Sequence, residues 1–139
     1  MSRMAIAFCL LVAAICFPLS LKSEITAVEK QFQGIWIPKN KSSCSGPMRI
    51  EVHKTTVVLC NGKHTATYGN IEMCYSCAGG AQYSGIEVQL YPEKETAPSP
   101  FIIRFNPDEK EGVMVIELQD SKIEKSFPFG KLRFKKCRQ

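Results

Sequence analysis

Two cysteines in Cys74-Tyr75-Ser76-Cys77 form the spacing in this chain best suited to redox chemistry. Such a pair works as a thiol-disulfide site when a cysteine sits at a helix N-terminus, where the dipole lowers the thiol pKa and yields an attacking thiolate. Here Asn70 to Met73 reads as strand and Ala78-Gly79-Gly80-Ala81 is a poor helix, so the pair reads as structural. Haem attachment is excluded, because Ala78 stands where the axial histidine would follow the second cysteine. Cys60 and His64, taken with Cys74 and Cys77, would give zinc three thiolates and an imidazole if adjacent strands brought them together. Exported cysteines oxidise, however, and His64 follows the turn sequence Asn61-Gly62-Lys63, so no metal or other cofactor is expected.

Catalysis by an activated nucleophile needs a base and an orienting group. His53 and His64 are the only histidines, and neither stands in a recognisable catalytic motif. His53 alternates with Arg49 and Glu51 on a strand-like segment, which places it on a solvent face. The acids fall mostly in loops or on such faces, not as a pair projecting into one cleft. The reading is therefore a non-enzymatic protein.

The elements that position these residues begin with an export segment. Arg3 precedes an apolar run from Met4 to Leu19, too short for a comfortable membrane span and typical of a signal peptide. Cleavage is expected after Ser23, with Ser20, Ala27 and an uncleaved signal anchor as the alternatives, giving a signal at 1–23 and one domain at 24–139 that is secreted or periplasmic. No stable membrane span should remain. Removing Arg3 and Lys22 leaves 16 basic and 13 acidic residues, a net charge of +3. That mild balance does not suggest a nucleic-acid binder, and the basic tail Lys131, Arg133, Lys135, Lys136, Arg138 reads as a solvated last strand in preference to a polyanion or anionic-lipid patch. Asn40-Lys41-Ser42 is an N-glycosylation acceptor if the chain is eukaryotic.

The five cysteines beyond the signal, Cys44, Cys60, Cys74, Cys77 and Cys137, are all disulfide candidates, and an odd number leaves one over. Cys44 with Cys60 is the preferred first bridge, tying the loop after Trp36 to the end of a hairpin. Cys137 with either Cys74 or Cys77 is the expected second.

From Phe32 onward the chain is written in short β-branched and aromatic segments separated by Gly, Pro, Asn and Ser. Strands are expected near 33–38, 48–53, 55–60, 64–69, 71–76, 83–91, 101–106 and 113–119, with a terminal one at 127–136 that could replace a weaker early segment. Ile86, Val88 and Leu90 alternate with Glu87, Gln89 and Tyr91, which places the first set in a core and the second toward water. Phe101, Ile103 and Phe105 repeat the pattern, as do Met114, Ile116 and Leu118, and Leu132 with Phe134. Asn106 to Gly112 reads as the turn of a hairpin over 101–119, and Glu24 to Gln31 as a short helical lead-in. The fold class is all-β, a small antiparallel up-and-down barrel of about eight strands.

With the strands laid out, Gly34-Ile35-Trp36 falls on the first and Arg133 on the last. This arrangement resembles the lipocalin-like, or calycin, barrels. The resemblance implies that Gly34 and Trp36 close one end of the barrel and that Arg133 packs across the indole. It also implies one of two roles: a carrier with an open cavity, or a small bacterial protease inhibitor with a filled core. In length the chain is nearer the inhibitors.

The expected function is accordingly an exported binding protein of inhibitor or adaptor type, acting on a protein or an envelope component. Tyr75, Tyr83 and Tyr91 are the candidate contact residues, beside the loops 77–82 and 92–100. The alternatives are a carrier of a small hydrophobic ligand held among Val88, Ile103, Met114 and Ile116, and a Cys74/Cys77 thiol-disulfide protein.

Overall fold

The computed structural model describes residues 27–138 except 76, 79, 80, 83, 84 and 94–97, and gives the backbone alone at 77, 78, 81 and 82. The expected signal peptide and Tyr83 lie outside the described residues. Nine strands form one antiparallel sheet: β1 (Gly34–Pro38), β2 (Met48–Val52), β3 (Val57–Asn61), β4 (Thr65–Tyr68), β5 (Ile71–Tyr75), β8 (Val88–Pro92), β9 (Phe101–Phe105), β10 (Val113–Leu118) and β11 (Phe134–Lys136). The remaining two, β6 (Cys77–Ala78) and β7 (Ala81–Gln82), pair as a small separate hairpin, where the sequence suggested only a flexible connection.

The sheet order is β4-β3-β2-β1-β11-β10-β9-β8-β5. Strands next to one another in the sheet are neighbours along the chain, with the β6–β7 hairpin set aside, except where the last strand pairs with the first. That is an up-and-down barrel, nearly closed, with its one unbridged seam between β4 and β5. The β1–β11 pairing, with Trp36 opposite Lys136 and Pro38 opposite Phe134, brings the chain's two ends together. Nine strands stand where about eight were expected, because the terminal segment adds to the early ones and replaces none.

Alternation builds the core as the residue pattern requires. Trp36, Ile50, Val52, Val57, Leu59, Ile71, Val88, Leu90, Phe101, Ile103, Phe105, Met114, Ile116 and Phe134 form one buried cluster with Val28, Phe32, Phe127 and Phe129. The proposed ligand positions Val88, Ile103, Met114 and Ile116 are themselves 0–1% exposed within it.

Three segments depart from expectation. Residues 27–33 hold a turn, not a helix, with the Phe32 and Gln33 amides both donating to the Glu29 carbonyl. The preceding part of the expected lead-in lies outside the described residues. Within the expected strand 127–136 only Phe134–Lys136 is extended into the sheet. Pro128 has no N–H to give a ladder, and the Leu132 amide donates to the Phe129 carbonyl in a turn instead. Before it lies an unanticipated helix, α1 (Ser121–Ser126), whose N-cap Asp120 accepts from the Lys122 amide at 2.8 Å.

The third departure is at 86–87, where the inward and outward assignments fail. Ile86 is 45% exposed, while Glu87 is 4% exposed. The Ile86 amide donates to Glu109 Oε2 at 2.8 Å, and its carbonyl accepts from Asn106 Nδ2 at 3.0 Å, so this residue is held by the loop 106–109 before the strand begins. Glu87 lies on the outer face but is covered by Arg104, whose Nε and Nη2 donate to its two carboxylate oxygens at 2.6 and 3.0 Å. A second carboxylate, Glu117, accepts from Arg104 Nη1 at 2.8 Å. Hydrogen bonds to Glu87 and then Glu117 raise the guanidinium pKa above its ordinary value, so the outer face of β8–β9–β10 is locked by a permanently charged clamp.

Candidate functional site

The residues expected to close the barrel separate into two places. Gly34 and Trp36 stand together on β1, where the N-terminal turn and Lys136 of β11 meet it. Gly34 has φ +128°, a conformation that strains any side chain, and a Cβ there would come to 3.1 Å from Lys136 Cε. The bare backbone lets the Lys136 stem pass, and its Nζ donates to the Gln31 carbonyl at 2.9 Å. Trp36 is 3% exposed, and its Nε1 donates to the Phe32 carbonyl at 2.9 Å. That bond fastens the N-terminal turn to β1. Phe32 stacks on Phe105 at 4.7 Å, and the Trp36 ring lies 5.0 Å from the same Phe105.

Arg133 takes no part in it. Because Phe134 faces the core, its neighbour points outward, and Arg133 reaches Asp108 at 3.6 Å with 47% of its side chain exposed. Phe105 and Phe32 occupy the place against the indole that the resemblance gave to arginine.

The disulfide pairing is also corrected. Cys44 is bonded to Cys137, with Cα atoms 5.8 Å apart across 93 residues of sequence, and Cys60 is free and buried. Cys60 lies opposite Arg49 on the outer face of β2–β3, and its thiol faces Glu51 while Cys44 is bonded to Cys137. Cys137 is therefore not available to Cys74 or Cys77. Cys74 is itself in a disulfide, and it sits in strand β5, where no helix supplies an activating dipole. The Cys77 side chain lies outside the described residues. Among the described residues no three of His, Cys, Asp and Glu gather to hold a metal ion.

The histidines stand apart from one another. His53 Nε2 is 3.7 Å from Glu51 Oε2, and Glu51 Oε1 accepts from Arg49 Nε at 2.7 Å. The His64 ring meets Phe127 edge-on at 6.3 Å. The buried thiol of Cys60 lies 4.0 Å from Glu51 Oε1.

Of the tyrosine anchors, the described pair Tyr75 and Tyr91 do not make one surface. Tyr75 pairs across the ladder with Val88 and packs against the core. Burial first, then a hydrogen bond and charge repulsion from Glu29, push its phenol up to about 12. Tyr91 lies opposite Glu72 on the outer face, and its phenol is raised by burial and by that carboxylate. The two rings are thus on opposite faces of the sheet.

The disulfide builds a different site. Ile37 points away from the barrel interior, opposite Lys135 on β11, yet is only 1% exposed. The loop from Lys39 to Pro47 passes outside β1, held by the Lys39 amide donating to the Arg133 carbonyl at 2.8 Å and by the Cys44–Cys137 bond. Beyond β11 the Cys137 amide donates to the Ile35 carbonyl at 2.7 Å, which continues the ladder to the bridge. The result is an open cleft of about 910 Å³ lined by Ile37, Ser42, Gly112, Lys135, Lys136, Cys137 and Arg138. The sequence placed these cations on a solvated strand. The available signal was that Cys137 stands between Lys136 and Arg138 and that Lys39 and Lys41 precede Cys44, but it becomes visible only once the two cysteines are known to pair.

In the comparisons with known proteins, no family model, no curated protein and no solved structure matches this chain.

Proposed function

We propose that this chain is an exported, non-enzymatic binding protein of the lipocalin-like barrel type, which recognises a protein partner through its outer surface in the manner of an inhibitor or adaptor. The observation that supports this most is the filled interior. Phe101, Phe105, Phe129 and Phe134 are each 0% exposed and meet inside the barrel with Trp36 and the aliphatic strand residues. A packed interior of this kind leaves recognition to the outside, where rigid strands hold loops in place. Export is supported by the apolar leader at Met4 to Leu19 and by a bridge of the type that persists in oxidising compartments.

The test is native mass analysis of the tagged mature chain purified from its own compartment. A stoichiometric protein partner is expected. A stoichiometric lipophilic molecule with no protein would overturn the reading in favour of a carrier.

A further inference from the structure

We infer that the cleft beside the Cys44–Cys137 bridge binds an acidic segment of the partner protein, its carboxylates held by Lys135 and Arg138, with Ser42 also in the lining. This rests on the protein-binding reading above.

The charge distribution carries the inference. The bridge joins two segments that contain cations and no acids: Lys39 to Pro47, with Lys39 and Lys41, and Lys131 to Arg138, with Lys131, Arg133, Lys135, Lys136 and Arg138. These seven cations exceed the mature net charge of +3, so the rest of the mature chain carries a net −4. Positive charge is thus concentrated in the two bridged segments, and three of its carriers, Lys135, Lys136 and Arg138, line the cleft.

The arginines elsewhere on the barrel are paired, Arg49 with Glu51 and Arg104 with Glu87 and Glu117, and Arg133 reaches Asp108. No lysine among the described residues forms an ion pair, those of the cleft included, and Arg138 is the one described arginine outside such a pair. Lys136 is turned to the Gln31 carbonyl, which leaves Lys135 and Arg138 as the cleft's free cations. Holding like charges together by a covalent bond is unfavourable in isolation and is offset by an anionic occupant.

Shape selects the kind of anion. The cleft is an open recess whose lining includes the buried Ile37 and Ser42. A flat anionic membrane meets such a recess poorly, whereas an extended peptide can enter it, its carboxylates meeting cations and its backbone amides meeting Ser42.

The test is fluorescence anisotropy with a labelled oligoglutamate peptide against the mature, oxidised protein. Saturable, salt-sensitive binding is expected. The double variant K135E/R138E should weaken it by about tenfold or more, while K122E, a charge reversal on α1 away from the cleft, should change it by less than about twofold. Unchanged Trp36 emission in each variant establishes that the barrel is intact.

Equal loss in K122E would reduce the effect to net charge and overturn the inference, as would full binding by K135E/R138E. A sulfated oligosaccharide or anionic vesicle bound more tightly than the peptide, with the same residue dependence, would overturn the protein assignment. Repeating the native mass analysis with K135E/R138E separates the two levels. A partner retained by this variant defeats the acidic cleft alone, and no protein partner on either chain defeats the reading beneath it.

Discussion

Replacing both bridge cysteines, C44A/C137A, should lower stability far more than any contact at that site would suggest. The bridge closes a segment of 93 residues, nearly the whole domain. In the native state the β1–β11 ladder and the Cys137–Ile35 hydrogen bond already bring the two ends together, so the bridge changes that state little. In the unfolded chain it removes the freedom of a very long loop, which the chain-entropy relation puts at about 4.6 kcal/mol. Measured bridges often deliver less, and about 3–4.5 kcal/mol is the expected loss.

Urea unfolding followed by Trp36 emission is the natural assay, since Trp36 is the only tryptophan and is buried. At a slope of about 1.5 kcal/mol/M the midpoint should fall by about 2–3 M, and the slope should rise because the unlinked chain exposes more surface. Cys60→Ala serves as the contrast. It removes a buried sulfur and no bridge, so it should cost only about 1 kcal/mol. A C44A/C137A midpoint within about 0.7 M of the parent would refute the reasoning, and a Cys60→Ala loss equal to that of the double variant would restore the Cys44–Cys60 pairing.

Three further outcomes follow from the geometry. Arg104→Met leaves Glu87 buried without its bidentate partner and should destabilise by about 3 kcal/mol in the same assay, whereas Glu117→Ala, which removes an exposed partner, should cost less than about 1 kcal/mol. Tyr75 titrates near 10 in the unfolded chain and is raised to about 12 in the fold, so folding favours its protonated form. Its stabilising contribution is complete below about pH 10 and is lost as the pH rises from about 10 through 12, and Tyr75→Phe should remove that part of the alkaline loss in a denaturation series. Phe105→Ala should cost about 3–5 kcal/mol by emptying the contact shared by Trp36 and Phe32, while Arg133→Ala should stay within about 0.5 kcal/mol, a contrast that thermal melts of the two variants would check.

What the sequence made legible was whatever depends on local alternation. Phe101, Ile103 and Phe105 face the core as their spacing required, and Asn106 to Gly112 turns the chain between two paired strands. Alternation failed at Ile86 and Glu87 because a long-range salt clamp and the loop 106–109 decide their positions, and neither partner is near in sequence. Helix α1 escaped because a six-residue segment with Ile123 as its single apolar side chain shows no helical period, although Asp120 is a fair cap.

The site was less legible for a related reason. Which cysteines meet, and whether Tyr75 and Tyr91 share a face, depend on strand order and register parity, which local patterns do not record. Gly34 and Trp36 were readable as a strand-borne pair because a positive-φ glycine and a buried indole act where they stand. Arg133 was not, because its side chain follows the phase set by Phe134.

The most direct test of recognition from outside a filled barrel is Trp36 emission during titration of the mature protein with a series of fatty acids and aromatic apolar probes. Trp36 lines the interior beside Phe105, so any molecule that enters must disturb it. The expected result is no saturable change in emission across the series. A saturable one-to-one change, abolished when an interior residue such as Val88 is enlarged to Phe, would contradict it and make the barrel a carrier.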